Sequence, residues 1–212
     1  MQDIVKRIGD ELRHHIPFTI FGAFTGIIIM LVLFLGNFLQ QIDTYSETVF
    51  FILHPTHVFL SALVTTTLYL KYSKKNLWMA ILIGYTGSIG IATISDSLIP
   101  YLGELLLDLP YAEPHIGFIE EPLIVNISAF IGIFVGYWKG FSKFPHAGHV
   151  LISTWASLFH IIMAIGAAIT LFQISGIFIF LFLAVWLPCC SSDIIYPLLF
   201  PHHNHHSKHL SQ

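Results

Sequence analysis

The sequence predicts an all-α polytopic membrane protein with six transmembrane helices, built as two inverted three-helix repeats. Three observations predict it. Of the 212 residues, 55% are hydrophobic and only 10% charged, against roughly 25% charged in an average soluble domain, and the mean hydropathy is +0.77. Six runs approach the roughly 20 mostly apolar residues that a spanning helix needs. The runs of the second half share His, Asp and Pro positions with those of the first. The same composition excludes a soluble enzyme and a disordered chain. With 9 Lys and Arg in the whole chain, no basic phosphate-binding face can form, so no nucleic-acid partner is expected.

Residues 1–16 come first, as a cytoplasmic amphipathic segment. Ile4, Val5, Ile8 and Leu12 share one helical face with charges opposite, which predicts a short interfacial helix lying on the membrane. The spans follow at Pro17–Leu39, Val49–Tyr72, Leu77–Leu102, Pro122–Trp138, Val150–Phe172 and Gly176–Phe200. Residues 17–105 make the first repeat, 106–121 an external acidic loop, 122–200 the second repeat, and 201–212 a cytoplasmic His-rich tail.

The charges support that count. With six spans, one face carries the two termini, the 2–3 loop and the 4–5 loop. That face holds Lys6, Arg7, Arg13, Lys71, Lys74, Lys75, Lys139, Lys143 and Lys208, which are all the basic residues of the chain. The other face holds Asp43, Glu47, Glu104, Asp108, Glu113, Glu120 and Glu121. The positive-inside rule then makes both termini cytoplasmic, and a cell (inner) membrane is the expected location. Lipid is the expected surrounding partner, and a homo-oligomer is compatible with the sequence.

The repeat is read from aligned residues. His54-Pro-Thr-His57-Val58 and Ser61 at the start of span two match His146-Ala-Gly-His149-Val150 and Ser153 at the start of span five. Ser95-Asp96 and Pro100 match Ser192-Asp193 and Pro197 near the ends of spans three and six. Ala23, Gly26 and Ile27 match Ala129, Gly132 and Ile133. Three spans reverse direction, so the halves have opposite orientation, as in many secondary transporters.

The same residues carry the chemistry. His54 and His57 are three apart and face one side of a helix. Asp96 lies at the same outer end, with His115, Glu120 and Glu121 nearby. The second half offers His146, His149 and Asp193 at the cytoplasmic end, with His14 and His15 on that face. Two equivalent clusters are therefore expected, one toward each face. Ionisable groups inside spans are expensive and usually functional. Imidazole with carboxylate suits a divalent transition metal (Zn, Mn, Fe, Ni or Co), zinc first, and does not suit Mg or Ca. The expected metal set is His54, His57, Asp96, His146, His149, Asp193, Glu120, Glu121 and His160. His160, eleven residues beyond His149, is read either as a relay on the permeation path or as a hydrogen-bonded core residue. Glu120 and Glu121 also suit a helix start.

Other features have blander readings. The vicinal pair Cys189–Cys190 reads mainly as small apolar filling; as thiolates one turn before Asp193 they would favour zinc or Cu(I). Gly84, Gly87 and Gly90 suggest close helix packing. The tail residues His202, His203, His205, His206 and His209 form a metal-binding type of tract.

The function expected is transport of a divalent transition metal, with no catalytic residue assigned. The alternative is a membrane-embedded metal-dependent hydrolase, in which the metal activates water. One catalytic site would not account for two mirrored clusters.

Overall fold

The computed structural model describes residues 2–36, 38–73, 75–139, 144–166, 168–190 and 196. For residues 2–12, 14–15, 39–44, 72, 144–147 and 190 it describes the backbone alone. The described residues form an all-helical fold: α1 (Gln2–Leu35), α2 (Leu39–Tyr72), α3 (Leu77–Thr93), a π-helical turn (Ile94–Leu98), α4 (Ile99–Leu106), α5 (Gly117–Glu120), α6 (Pro122–Lys139), α7 (Phe144–Ala164) and α8 (Leu171–Cys190).

Among the described residues, five helices are long and apolar enough to cross a membrane: Ile16–Leu35, Tyr45–Lys71, Leu77–Leu106, Pro122–Lys139 and Leu171–Cys189. The apolar stretch of α7, Gly148–Ala164, is shorter. Large apolar side chains stand outward along these helices, among them Phe21, Phe24 and Val32 on α1 and Leu123, Phe130 and Phe134 on α6. Such continuous exposed apolar faces suit contact with lipid.

Several boundaries differ from expectation, each for a local reason. The N-terminal segment is not a separate surface helix: α1 runs unbroken from Gln2 through Pro17 to Leu35. The fifth helix ends at Ala164 rather than at Phe172. Gly166 follows, where a Cβ would press on the Pro110 ring, and the Tyr111 amide caps the Ala164 carbonyl at 3.3 Å. The last helix begins at Leu171 rather than at Gly176. Thr170-Leu-Phe-Gln173 is a capping box: the Gln173 amide donates to Thr170 Oγ1 (3.2 Å) while Gln173 Oε1 accepts from the Thr170 amide (2.9 Å). The Gln173 amide group also donates to the Leu107 carbonyl at 3.2 Å, tying the start of α8 to the end of α4.

The third span is interrupted where it matters most. Pro100 has no N–H and cannot bond the Asp96 carbonyl four residues back. The helix widens there: the Ile99 amide bonds Ile94 O, five residues back, so Ser95 O loses its ordinary α-helical donor. Ser157 of α7 supplies a replacement, its hydroxyl shared between Ser95 O (3.0 Å) and Ser153 O (2.9 Å). Single-turn π-bulges of this kind are frequent at functional sites. Ser157→Ala leaves the buried Ser95 carbonyl bare and should cost about 1–3 kcal/mol, read as a lowered midpoint of thermal unfolding in detergent. An unchanged midpoint would mean that the carbonyl finds another donor.

Beyond it, α4 ends in a Schellman motif. Asp108 takes the left-handed conformation (φ 51°), and the Leu109 amide reaches back to Glu104 O at 3.0 Å. The chain thus turns sharply just after Glu104, which is buried.

In the packing, α2 lies against α3, α6 and α7, while α1 lies against α7 and α8. The apolar core is accordingly divided. One cluster joins Ala23 and Met30 of α1 with Leu158 and Ile161 of α7 and Ile177 and Leu181 of α8. Another joins Val58 of α2, Ile89 and Ala92 of α3, and Val125 and Ala129 of α6. Between them runs a polar seam.

Candidate metal centre

The seam is written into two helices at helical spacing. The buried polar residues of α2 include His54, His57, Ser61 and Thr65, and those of α7 include His149, Ser153, Ser157 and His160. Steps of three and four residues put each set on one helix face, and these faces meet because α2 packs on α7. The π turn adds Ser95 and Asp96 to the same place, and α8 adds Cys189, all of them buried.

Asp96 organises the cluster. Its Oδ2 accepts from His57 Nδ1 (2.6 Å) and from His54 Nδ1 (3.0 Å). Its Oδ1 accepts from the Ser95 hydroxyl (2.6 Å) and the Ser153 hydroxyl (2.9 Å). The carboxylate is thus filled, four donors on two oxygens, which is how a buried charge is tolerated. A proton on His57 Nδ1 leaves its Nε2 with a bare lone pair. That nitrogen lies 2.7 Å from His149 Nε2, which donates across the gap, and the two rings stack with centroids 4.6 Å apart. Cys189 Sγ lies 4.0 Å from His57 Nε2 and 3.8 Å from Ser153 Oγ.

Three ligating atoms therefore converge. One from each of His57, His149 and Cys189 lies within 4.8 Å of the others, all buried, and together they could hold a metal ion. Zinc bonds nitrogen at about 2.0–2.1 Å and thiolate sulfur at about 2.3 Å. At tetrahedral angles those lengths put the ligand atoms about 3.4–3.6 Å apart. The sulfur is near that spacing, and the imidazoles must part slightly as the shared proton leaves. A carboxylate holding the far nitrogen of a ligating histidine is the usual outer support of such a site; it fixes the tautomer and raises ligand basicity. His54 is oriented in the same way. Its Nε2 makes no hydrogen bond and faces Gly117, where a Cβ would collide with the ring.

The structure draws together only part of the expected set. Among the described residues, His57 of the first half and His149 of the second meet in one buried cluster with His54 and Asp96. Asp96 bonds imidazole nitrogens and serine hydroxyls there. Glu120 and Glu121 are exposed; Glu120 accepts from the Ile116 amide (2.8 Å) and lies 3.4 Å from His115 Nδ1. His160 pairs with Glu104, Nδ1 to Oε1 at 2.6 Å. Asp193 and the His-rich tail lie outside the described residues, as do the side chains of His14, His15, His146 and Cys190. Of the glycines in the third span, Gly84 packs on Thr66 and Ile133, and Gly87 on Thr65 and Tyr196.

The expected metal set does not include Cys189, Ser153 or Glu104, all of them buried or part of the buried network. Ser153 stands in the repeated His-x-x-x-Ser pattern, and Cys189 lies one turn before Asp193; both signals were present. No family model matches the chain, and neither a curated protein nor a solved structure does.

Proposed function

We propose that this chain is an integral membrane transporter of a divalent transition metal ion, zinc first, which binds as substrate to His57, His149 and Cys189. The observation that carries the reading is the meeting of His57 and His149 Nε2 at 2.7 Å, one residue from each half of the chain, buried in a seam of hydroxyls and imidazoles between two apolar cores. A site shared between two bodies changes its ligand distances whenever the bodies rock, which is what alternating access needs.

The inverted repeat draws support from the packing. Exchanging α1 with α6, α2 with α7, and α3 with α8 turns each main contact into another. The α2–α6 contact becomes α7–α1, α3–α6 becomes α8–α1, α2–α3 becomes α7–α8, and α2–α7 maps on itself; all of these packings exist. The close approaches follow suit. Gly26 of α1 faces Leu158 of α7, and its match Gly132 of α6 faces Phe59 and Ala62 of α2. On this reading α7 is the remaining span, giving six with both termini cytoplasmic, as the basic residues require, and the inner membrane as the location.

The test is zinc flux into liposomes holding the purified full-length protein. His57→Ala and His149→Ala should bring flux to the protein-free background, and Cys189→Ser should lower it about tenfold. Wild-type flux indistinguishable from empty liposomes, with zinc bound stoichiometrically, would overturn transport in favour of the metal-dependent hydrolase.

A further inference from the structure

A second buried carboxylate–imidazole pair stands apart from the centre. Glu104 and His160 are joined at 2.6 Å, with side chains 1% and 0% exposed. The bond uses one atom of each. Glu104 Oε2 and His160 Nε2 are both buried and make no hydrogen bond, a costly state for two polar atoms inside a protein. Both are atoms that bind divalent transition metals, and the pair repeats the Asp96–His57 arrangement, in which a carboxylate holds Nδ1 and Nε2 is left available.

Its position is as informative as its chemistry. His160 lies eleven residues, about three turns, beyond His149 on α7. Between the pair and the centre stands one ring: Phe50 stacks on His54 with centroids 5.4 Å apart and meets His160 edge-on at 5.4 Å. On its other side His160 meets the ring of His115 at 5.6 Å. The His115 side chain is 21% exposed and lines a cavity of about 230 Å³ with Glu47, Glu113 and Met163. Two carboxylates at a mouth raise the local concentration of cations.

We infer that His160, oriented by Glu104 and joined by His115, forms a second binding station for a divalent transition cation, between this acidic mouth and the central site, with Phe50 as the barrier between the two. The inference rests on the transporter reading and adds a loading site to it.

Cobalt(II) titration of the detergent-purified full-length protein tests it, in a background carrying H202S, H203S, H205S, H206S and H209S so that the tail does not bind. The parent should take two buried cobalt ions per chain. One gives a sulfur-to-cobalt charge-transfer band that C189S removes; the other gives ligand-field bands only. H160Q should lose the second ion, keep the charge-transfer band, and lower flux at least tenfold. E104Q and H115A should weaken the second ion by about ten- to a hundredfold. The retained band certifies folding in each variant, and if H160Q fails to fold, E104Q and H115A decide. Unchanged stoichiometry and affinity in these variants would overturn the second station while leaving the central site intact. Loss of the charge-transfer band from the parent as well would instead bring down the reading on which it rests.

Discussion

Asp96→Asn should lower the zinc affinity of the centre by roughly ten- to a hundredfold, measured by competition against a zinc indicator. The carboxylate accepts from four donors, two imidazole Nδ1 atoms and two serine hydroxyls. An amide has one oxygen and one NH₂ in its place. Turned toward the serines, the NH₂ is accommodated because hydroxyls can rotate and accept, but the negative charge that raises His57 basicity is lost. Turned toward the histidines, it forces their protons onto Nε2 and blocks the ligating atom. Both outcomes weaken metal binding, while zinc flux falls in step. Asp96→Ala goes further: it strips the buried histidines and hydroxyls of their acceptor, and breaking such a buried network costs about 3–5 kcal/mol. Undiminished zinc affinity in Asp96→Asn would remove the orienting role assigned to this carboxylate.

Gly132→Val should prevent assembly of the fold. Gly132 and Gly136 are four apart on α6, a small-residue stripe that allows close approach between helices in a bilayer. A Cβ on Gly132 would meet the Phe59 carbonyl oxygen and the Ala62 Cβ of α2, and one on Gly136 would meet the Leu63 carbonyl oxygen at 2.7 Å. The obstacles are backbone atoms of the helix that carries His54 and His57, so relief requires the helices to separate rather than a side chain to rotate. Overpacking costs typically about 1–3 kcal/mol where side chains can adjust; against backbone the loss should exceed that and appear as aggregated rather than monodisperse protein on size exclusion. Gly90→Ala is the control. A Cβ there meets nothing within 4 Å, and a helical Gly→Ala change should leave the protein folded and slightly more stable, by up to about 1 kcal/mol. Monodisperse Gly132→Val protein that retains the cobalt spectrum would show that α6 does not brace the centre.

Much of the candidate centre could be read without coordinates. His54, His57 and Ser61, and His149 and Ser153, announce buried polar faces by their spacing alone. Asp96 four residues before Pro100 marks an expensive charge beside a helix irregularity. What could not be read was depth. Placing the histidines at opposite ends of their spans predicts two clusters, yet α2 and α7 pack so that His57 and His149 touch. The capping box at Thr170–Gln173 is written in the sequence but lies inside a continuous apolar stretch, so hydropathy alone starts α8 later than the cap does. The role of Cys189 depended on which helix face α8 turns inward, and spans of nearly uniform apolarity carry no periodic signal to say so.

The sequence by itself determined that the chain is helical, that its helices are long and apolar enough to span a membrane, and that His, Ser and Asp recur on particular helix faces. These are consequences of local composition and of the 3.6-residue period. Only the tertiary structure decided that His57, His149 and Cys189, up to 132 residues apart, converge on one point, that Asp96 bonds histidines and hydroxyls there, and that Glu104 stands with His160. Convergence depends on where helices cross and how closely they approach. Those are set by side chains and glycines on different helices acting together, such as Gly132 against Phe59 and Ser157 against the π turn, and no single stretch of sequence contains them.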